Sequence, residues 1–298
     1  MLVKSLRLAS DNITYDLEDS VTPARKPEAR QDLKAHLARL TCRPPAVAEL
    51  AVRVNAVSTP HSIHDLTVAA SSPLVDAVVV PKVESAEDVT FVSSVLRHVA
   101  SDRQTQGSRN PISIIALIES ANAVMNLAAI SKASPHLDGL IFAAEDFALD
   151  LSITRTPSLT EFLYARSAIV TAARAARLTS AIDLVCTSYK GEEGLSRLRQ
   201  ECAGGKSMGF NGKQCIHPDQ LQTVQAMFAP SREDVEWAVR VVMADEKATA
   251  AGRGAWTLDG KMIDAPVVGK ARAIVSKAES CGFDVPGLRL RWADQEPE

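Results

Sequence analysis

The sequence predicts an α/β fold of the TIM (β/α)8 barrel type with a helical extension at its C-terminal end. Short apolar runs alternate with longer amphipathic stretches along most of the 298 residues, which is typical of parallel strands covered by helices. Hydrophobic residues make up 46% of the chain but aromatic residues only 4%. The apolar content is therefore mainly aliphatic, as in buried parallel strands, and the length suits a barrel with an appendage.

Seven apolar runs are the strand candidates of this barrel. They are Ile13–Leu17, Ala48–Val54, Val75–Val80, Ile112–Ile118, Leu137–Phe142, Ala181–Val185 and Met208–Gln214. A closed barrel of this class has eight strands. The sequence opens with a helical segment over residues 1–6, so we expect the first barrel strand to be missing from this chain.

Amphipathic segments between the strand candidates predict the surrounding helices. They include Pro23–Leu40, Ala86–Val99, Ala121–Ile130 and Leu159–Leu178. We place the barrel domain at residues 1–228 and assign residues 229–298 to a helical extension. Ser231 and Asp234 resemble a helix cap at its start, and valine and alanine recur after them at helical spacing.

Charge and cysteine content exclude several classes of protein. The net charge is −3 and the pI is about 6.1, and there is no basic stripe, so nucleic acid is a poor candidate partner. No apolar run reaches the roughly 18 residues of a membrane span. The five cysteines are widely spaced without a C-x-x-C motif, which favours a reduced compartment over disulfides or zinc. The cytoplasm and the mitochondrial matrix both stay open.

Polar and charged residues lie at or just after the carboxyl ends of the strand candidates, where a parallel barrel carries its active site. They are Asp16, Glu18, Asp19, Arg53, Asn55, Lys82, Glu84, Glu119, Glu145, Asp146 and Asp183. Any one of them is more often a helix cap or a solvated loop residue. A ring of carboxylates is different, because like charges held close together need a compensating cation. Arg53 and Lys82 supply part of that charge, and we expect a divalent metal to supply the rest.

The residue types in this ring favour Mg²⁺ as the metal. Oxygen ligands without clustered histidine or cysteine are typical of Mg²⁺ rather than zinc. Mg²⁺ is commonly held by one or two carboxylates and keeps its other positions for water and substrate. Glu119 and Asp146 are the best pair because each closely follows a strongly apolar strand. The alternative is that they form salt bridges with Arg53 or Lys82.

Two residues outside this ring are also candidates. Lys213 lies at the end of the last strand candidate and His217 in the loop after it, where barrels often bind phosphate, although a lone histidine is more often structural. Asp264 lies well outside the barrel, and it is a plausible helix cap before Pro266. A functional role for Asp264 requires the extension to fold over a barrel mouth.

Eight short motifs follow one another along nearly the whole chain in the order of a known family. They are Tyr15–Val21, Val52–Asn55, Pro81–Ser85, Leu117–Ser120, Ala144–Phe147, Ala181–Leu184, Gly212–Gln214 with Ile216–Pro218, and Met262–Asp264. Together they resemble the HpcH/HpaI aldolase superfamily, in its citrate lyase β-subunit-like branch close to citramalyl-CoA lyases. Each motif alone is weak, but eight in order are highly specific.

The resemblance implies roles for individual residues at the metal and reaction centre. Glu119 and Asp146 match Mg²⁺ ligands of the family, and Arg53 matches its substrate-binding arginine, which would stabilise oxyanion charge. Asp264 matches a catalytic aspartate that reaches the active site of a neighbouring subunit. A homo-oligomer, expected to be a trimer, is then part of the mechanism.

The resemblance also implies a CoA thioester as substrate. Lys4 and the pair Ile216 and His217 match positions that contact the CoA-bearing substrate. The family normally begins with a further strand ahead of the helix that contains Lys4, and this sequence departs from that pattern.

The implied function is Mg²⁺-dependent, reversible cleavage of a citramalyl-CoA-like β-hydroxyacyl-CoA to acetyl-CoA and a 2-keto acid such as pyruvate. A malyl-CoA lyase or malate synthase-like activity is one alternative at the same site. A CoA-independent aldolase for 4-hydroxy-2-keto acids is another. A barrel that lacks its first strand also leaves open a non-enzymatic binding or regulatory role, since an open sheet edge is a liability.

Overall fold

The computed structural model describes residues 2–105 and 107–298. These residues form two compact units, the first ending at Val224 and the second beginning at Gln225. The helix Leu221–Phe228 spans this division, whereas the sequence prediction places the boundary at the end of that helix. Within the described residues, no helix is both long and apolar enough to cross a bilayer.

The described part of the first unit is built on a seven-stranded sheet. Its strands are β1 Ser10–Asp16, β2 Val47–Arg53, β3 Ala77–Val80, β4 Ser113–Ile118, β5 Leu137–Phe142, β6 Ser180–Asp183 and β7 Gly212–Lys213. They lie side by side in chain order, every neighbouring pair is parallel, and the sheet curls into part of a barrel. The predicted α/β barrel-type fold with seven visible strands is confirmed.

One helix precedes the first strand, and the others follow strands along the chain. They are α1 Leu2–Ser5, α2 Lys26–Ala38, α3 Ser62–Ala70, α4 Ala86–Val99, α5 Ala121–Met125, α6 Leu127–Ile130, α7 Ala144–Asp150, α8 Leu163–Ala175, α9 Gly191–Met208 and α10 Leu221–Phe228. Short 3₁₀ turns precede three of them, at Pro23–Arg25, Thr160–Phe162 and Pro218–Gln220. The start of α4 is defined by a capping box between Ser85 and Asp88, which satisfies backbone N–H groups that the helix leaves free.

Both faces of the sheet are buried, which explains why its strands read as continuous apolar runs. One face carries a cluster of alternate residues that includes Val79, Ile115, Leu117 and Ile141, because residues two apart on a strand point to the same side. Ile114 on the opposite face is fully buried as well.

The last predicted strand is too long at its start. Met208 is the final residue of α9, and Gly209 ends that helix in a left-handed conformation with φ 99°. Only Gly212 and Lys213 then pair with β6. The apolar residues around Met208 belong to the end of a helix because the glycine that follows ends it readily.

The second unit has its own apolar core of valine, alanine, Trp256 and Leu258. It contains α11 Arg232–Ala250, β8 Trp256–Leu258, β9 Lys261–Ile263, α12 Ala265–Ser280 and α13 Val285–Arg291. The extension is therefore helical with one antiparallel hairpin. Asp259 and Gly260 form the two-residue turn of this hairpin, with φ of 49° and 72°. Positive φ at both positions is characteristic of a type I′ turn, for which Asp-Gly is a preferred sequence.

Candidate active site

A cavity of about 560 Å³ opens beside the loops that follow β3, β4 and β5. Because parallel strands run the same way, their carboxyl ends bring these loops together at one edge of the sheet. Acidic side chains dominate the described part of the lining. They are Glu84, Asp88, Glu119, Asp146 and Asp150, and Lys82 lies among them.

Glu119 and Asp146, the predicted Mg²⁺ ligands, both face this cavity. Glu119 directly follows β4 and is only 6% exposed, while Asp146 lies in the first turn of α7. Burial, together with the negative charges of Asp146 and Glu18, raises the pKa of Glu119 to about 7, although Lys82 partly opposes this. The two carboxylates therefore repel each other in the absence of a cation.

The donor set fits magnesium better than zinc. Structural zinc sites typically use cysteine and histidine ligands, whereas the candidate ligands here are carboxylates, and within the described residues no group of three or more His, Cys, Asp or Glu side chains is placed to hold a metal ion. Two oxygen-donating carboxylates that leave further positions to water and substrate are characteristic of Mg²⁺. Glu119 and Asp146 are thus the residues that would hold it, and their role as ligands stays a prediction.

Arg53, predicted to bind substrate, lies at the end of β2 beside Asp16 on β1. Its Nε and Nη2 atoms donate to the two oxygens of Asp16 at 2.8 and 2.7 Å, and Nη1 lies 3.2 Å from Glu18. Burial opposes ionisation of Asp16, but the hydrogen bonds from Arg53 and Ser20 outweigh it and lower the pKa of Asp16 to about 2. The guanidinium of Arg53 is therefore firmly oriented by protein carboxylates.

Glu18 connects this arginine to the cavity. Its side chain is 8% exposed and accepts a hydrogen bond from Lys82 Nζ at 2.9 Å. Burial is the main cause of its raised pKa, which Lys82 and Arg53 counteract. Arg53, Glu18 and Lys82 thus form a continuous chain of charges that ends at the cavity wall.

Asp183, which the sequence analysis places in the carboxylate ring, lies elsewhere. It is fully buried and accepts two hydrogen bonds from Arg166 on α8, at 3.0 and 2.7 Å. A Cβ atom on Gly205 of α9 would come within 2.4 Å of its carboxylate. Asp183 therefore faces the helical layer, where it joins β6 to α8 and α9.

Two further members of the predicted ring have structural partners. Asn55 is buried and donates to Asp65 and to the carbonyl oxygen of Leu17. Glu145 accepts a hydrogen bond from Arg155, which also binds Glu201 at 2.9 Å. Neither side chain is part of the described cavity lining.

Lys213 is not available to bind phosphate, which corrects that expectation. Its side chain is fully buried, and Nζ lies 3.0 Å from Glu201 on α9. The side chain points from the short strand β7 toward the helical layer, since its neutralising partner lies there. The sequence shows a basic residue after an apolar run but not the face of the sheet that it occupies.

The loop that follows β7 presents Ile216 and His217, the predicted CoA contacts. Ile216 is 53% exposed, and the ring of His217 stacks on Tyr189 with centroids 4.5 Å apart. Gln220 fixes the loop, because its Oε1 accepts from the backbone N–H groups of Ile216 and His217 at 2.9 and 3.2 Å. Its Nε2 donates to the carbonyl oxygen of Cys186 at 2.8 Å.

Tyr189 and Gln220 hold the loop that carries these candidate contacts, and the sequence analysis missed both. The signal for Gln220 is its spacing three residues after His217, which is the spacing of a capping box, and the two residues form that box at Pro218. No comparable signal marked Tyr189, whose contact with His217 joins loops distant in sequence.

Lys4 belongs to the first unit and Asp264 to the second. Lys4 is exposed on α1, and the hydroxyl of its neighbour Ser5 lies 3.5 Å from Tyr15 on β1. Asp264 caps α12 by accepting from the backbone N–H of Val267 at 3.2 Å. Its neighbour Met262 is 69% exposed. The cap is the role that the chain itself shows for Asp264, and its delivery to a neighbouring subunit stays a prediction.

Comparison with known proteins bears on the identity of this site. Residues 1–218 match the model of the family described as HpcH/HpaI aldolase/citrate lyase. The citrate lyase subunit beta of Escherichia coli K12 is 35% identical over 284 residues, which cover 95% of this chain and 90% of that protein. The mitochondrial citramalyl-CoA lyase of Homo sapiens is 34% identical over 279 residues, covering 91% and 79%.

A solved structure shares the fold. The CitE protein of Mycobacterium tuberculosis, crystallised with magnesium, acetoacetate and coenzyme A, matches with a TM-score of 0.69 and 30% identity. The match covers 91% of each chain. The similarity therefore extends over both units of the present chain.

Proposed function

This chain belongs to the HpcH/HpaI aldolase/citrate lyase family, and we propose that it is a magnesium-dependent carbon–carbon lyase for a citramalyl-CoA-like β-hydroxyacyl-CoA. The products are acetyl-CoA and a 2-keto acid such as pyruvate, and the reaction is reversible. The observation that carries the proposal is the pair of buried Glu119 and half-buried Asp146, which share one cavity at the strand ends. Burial and the negative charge of Asp146 together raise the pKa of Glu119 to about 7.

The ionised carboxylates of Glu119 and Asp146 would hold the metal in the cavity that receives the hydroxy acid or keto acid. Magnesium, when bound, supplies a Lewis acid and a template for the substrate oxygens. Arg53 lies oriented by Asp16 and Glu18, and its positive charge stabilises the negative charge that develops on oxygen. Glu119 must lose its proton before it can act as a ligand.

The reaction breaks the bond between the hydroxyl-bearing carbon and the α-carbon of the thioester. The hydroxyl proton passes to solvent water as the ketone forms, and the electron pair of the broken carbon–carbon bond passes to the acetyl-CoA enolate. Asp264 of a neighbouring subunit then gives a proton to the enolate carbon, and it removes that proton in the condensation direction. The oligomer, proposed as a trimer, is therefore part of the active site.

The CoA portion of the substrate binds along Ile216, His217 and Lys4. The exposure of Ile216 and the rigid hydrogen bonding of its loop by Gln220 support this placement. The presence of coenzyme A and acetoacetate in the M. tuberculosis structure and the name of the human relative also favour a CoA thioester.

A substrate panel tests the proposal directly. The purified chain is assayed with citramalyl-CoA, malyl-CoA and a free 4-hydroxy-2-keto acid, each with magnesium and with a chelator. We expect magnesium-dependent release of acetyl-CoA, fastest from citramalyl-CoA. Preference for malyl-CoA would reassign the acyl group, preference for the free acid would remove CoA from the proposal, and no cleavage of any substrate would contradict the lyase.

The substitution Asp264→Asn tests the general acid. Asparagine also caps helices, so folding is retained while proton transfer is lost, and we expect turnover to fall by about 10²–10⁴-fold with unchanged magnesium affinity. Asp284→Asn is the matched control, because Asp284 caps α13 in the same way through Gly287. Near-normal turnover by the Asp264 variant would remove this residue from the mechanism.

A further inference from the structure

Lys82 has a backbone conformation that is costly for any residue except glycine. It directly follows Pro81 after β3 and has φ 52°, in the left-handed region where the Cβ atom of an L-residue meets the carbonyl oxygen. Such strain at a site is maintained only where the surrounding structure imposes it. Glycine would adopt this conformation without strain. The reason for a lysine at this position therefore lies in its side chain.

Lys82 contacts two carboxylates of the candidate active site. Its backbone N–H donates to Glu119, and its Nζ donates to Glu18 Oε1 at 2.9 Å. Glycine at this position would supply the same backbone N–H without strain. What lysine adds is a cation, fixed at the wall of the cavity by Glu18.

The charge balance of the cavity singles out this cation. Lys82 is the one lysine or arginine among the described lining residues, which include five carboxylates. The nearby Arg53 is 19% exposed and is held by Asp16, Glu18 and Asp19. Lys82 is 46% exposed despite its ion pair, and an ammonium group has three N–H donors, so it can serve both Glu18 and a ligand.

We propose that Lys82 is a further catalytic residue, whose ammonium group donates to a carboxylate oxygen of the keto-acid half of the substrate. The inference rests on the proposed function, since it concerns the acid that binds beside Glu119 and Asp146. Glu18 acts as a positioning residue that aims the ammonium into the cavity. A charge-assisted hydrogen bond of this kind is among the stronger polar contacts in proteins.

The test measures pyruvate binding to the magnesium-loaded chain by calorimetry, with citramalyl-CoA turnover beside it. For Lys82→Gly we expect pyruvate to bind about 10- to 100-fold more weakly, as for loss of a hydrogen bond to a charged group. The affinity for magnesium and the inhibition constant of free CoA should both stay within about threefold of wild type. Lys82→Arg retains the charge and should recover most of the pyruvate affinity.

Arg177→Gly is the matched control. Arg177 also has a positive φ, 59°, but it is exposed after α8, so the substitution removes backbone strain without touching the cavity. We expect its pyruvate affinity and turnover to equal those of wild type. Melting temperatures of all variants confirm that each chain is folded.

The outcomes separate the two proposals. If wild type binds magnesium and pyruvate and Lys82→Gly binds pyruvate equally well, the role of Lys82 is overturned while the lyase proposal stands. Equal weakening by Lys82→Gly and Lys82→Arg would also overturn it, because retained charge should rescue binding. If wild type binds neither magnesium nor pyruvate, both proposals fail.

Discussion

Two charged regions of the first unit differ in how completely their charges are matched. Behind β6, Asp183 is fully buried and receives two hydrogen bonds from Arg166. At the cavity, five carboxylates accompany Lys82, and the pKa of Glu119 rises to about 7 through burial and its acidic neighbours. Both regions follow strand ends in the sequence. Carboxylates that face a cavity and outnumber the cations there indicate a candidate functional site. A buried ion pair such as Asp183 and Arg166 instead connects elements of the fold.

The largest effect on stability is expected from breaking the matched pair. Asp183→Asn leaves Arg166 buried without its counter-charge, and removal of one partner from a buried pair typically costs about 3–5 kcal/mol. We expect the free energy of unfolding, measured by urea denaturation, to fall by roughly that amount. Turnover per folded molecule should be retained, since the pair does not face the cavity.

The double variant Arg166→Met, Asp183→Leu is the control for this prediction. Replacing both charges with apolar residues of similar size is often neutral or stabilising, so most of the lost stability should return. A double variant as unstable as Asp183→Asn would show that the pair contributes through packing shape rather than through charge.

At Glu119 and Asp146, by contrast, removal of a charge is expected to stabilise the metal-free chain. In the metal-free chain, the pKa of Glu119 is about 7, above its usual value, so the folded state keeps a proton that the unfolded state has lost. The free energy of unfolding therefore falls as pH rises from about 4.5 to 7, by roughly 3 kcal/mol in total, and levels off above that window.

Glu119→Gln should remove this contribution. The variant cannot ionise, so its free energy of unfolding at pH 8 should exceed that of the metal-free wild type, while its magnesium-dependent turnover is lost. Denaturation curves across pH 4 to 8 in the presence of a chelator measure the free energy of unfolding. A separate assay with magnesium measures turnover. Identical pH profiles for the two chains would mean that the folded state does not raise the pKa of Glu119.

The smallest expected effect distinguishes two adjacent glycines of α9. Around Gly204 nothing lies within 4 Å of an added Cβ, whereas at Gly205 that atom would lie 2.4 Å from the Asp183 carboxylate. Gly204→Ala should therefore stabilise the chain by about 0.5–1 kcal/mol through helix propensity. Gly205→Ala should destabilise it, because Asp183 is held by Arg166 and cannot move away. Equal melting temperatures for the two variants would contradict this packing.

Much of the fold could be predicted from the sequence because its signals are local. The apolar runs predict the positions of β1 to β6 closely. The last strand is the exception, because Gly209 ends a helix at Met208, where the prediction begins a strand. The Asp-Gly sequence at Asp259 and Gly260 is a local signal of the hairpin, but the prediction of a helical extension did not include the hairpin. The fold was thus accessible from pattern and composition.

The candidate site was only partly accessible, because it depends on which face of the sheet each side chain occupies. Glu119 and Asp146 were correctly expected to lie together, since adjacent parallel strands bring them to one edge. Asp183 and Lys213 follow strands in the same manner, yet both point toward the helices. Their partners Arg166 and Glu201 come from α8 and α9, and no local pattern reveals such pairing.

The central claim, that Glu119 and Asp146 bind magnesium, is tested most directly by magnesium titration of the wild type and three variants by calorimetry. Glu119→Gln and Asp146→Asn should each weaken binding by about 100-fold or more, the size of loss expected when the charge of a ligand is removed. Glu84→Gln is the control within the same cavity, because Glu84 accepts hydrogen bonds from Ser120 and Asn122, and its affinity should stay within about threefold of wild type. Wild-type affinity in Glu119→Gln, or equal losses in all three variants, would contradict the assignment.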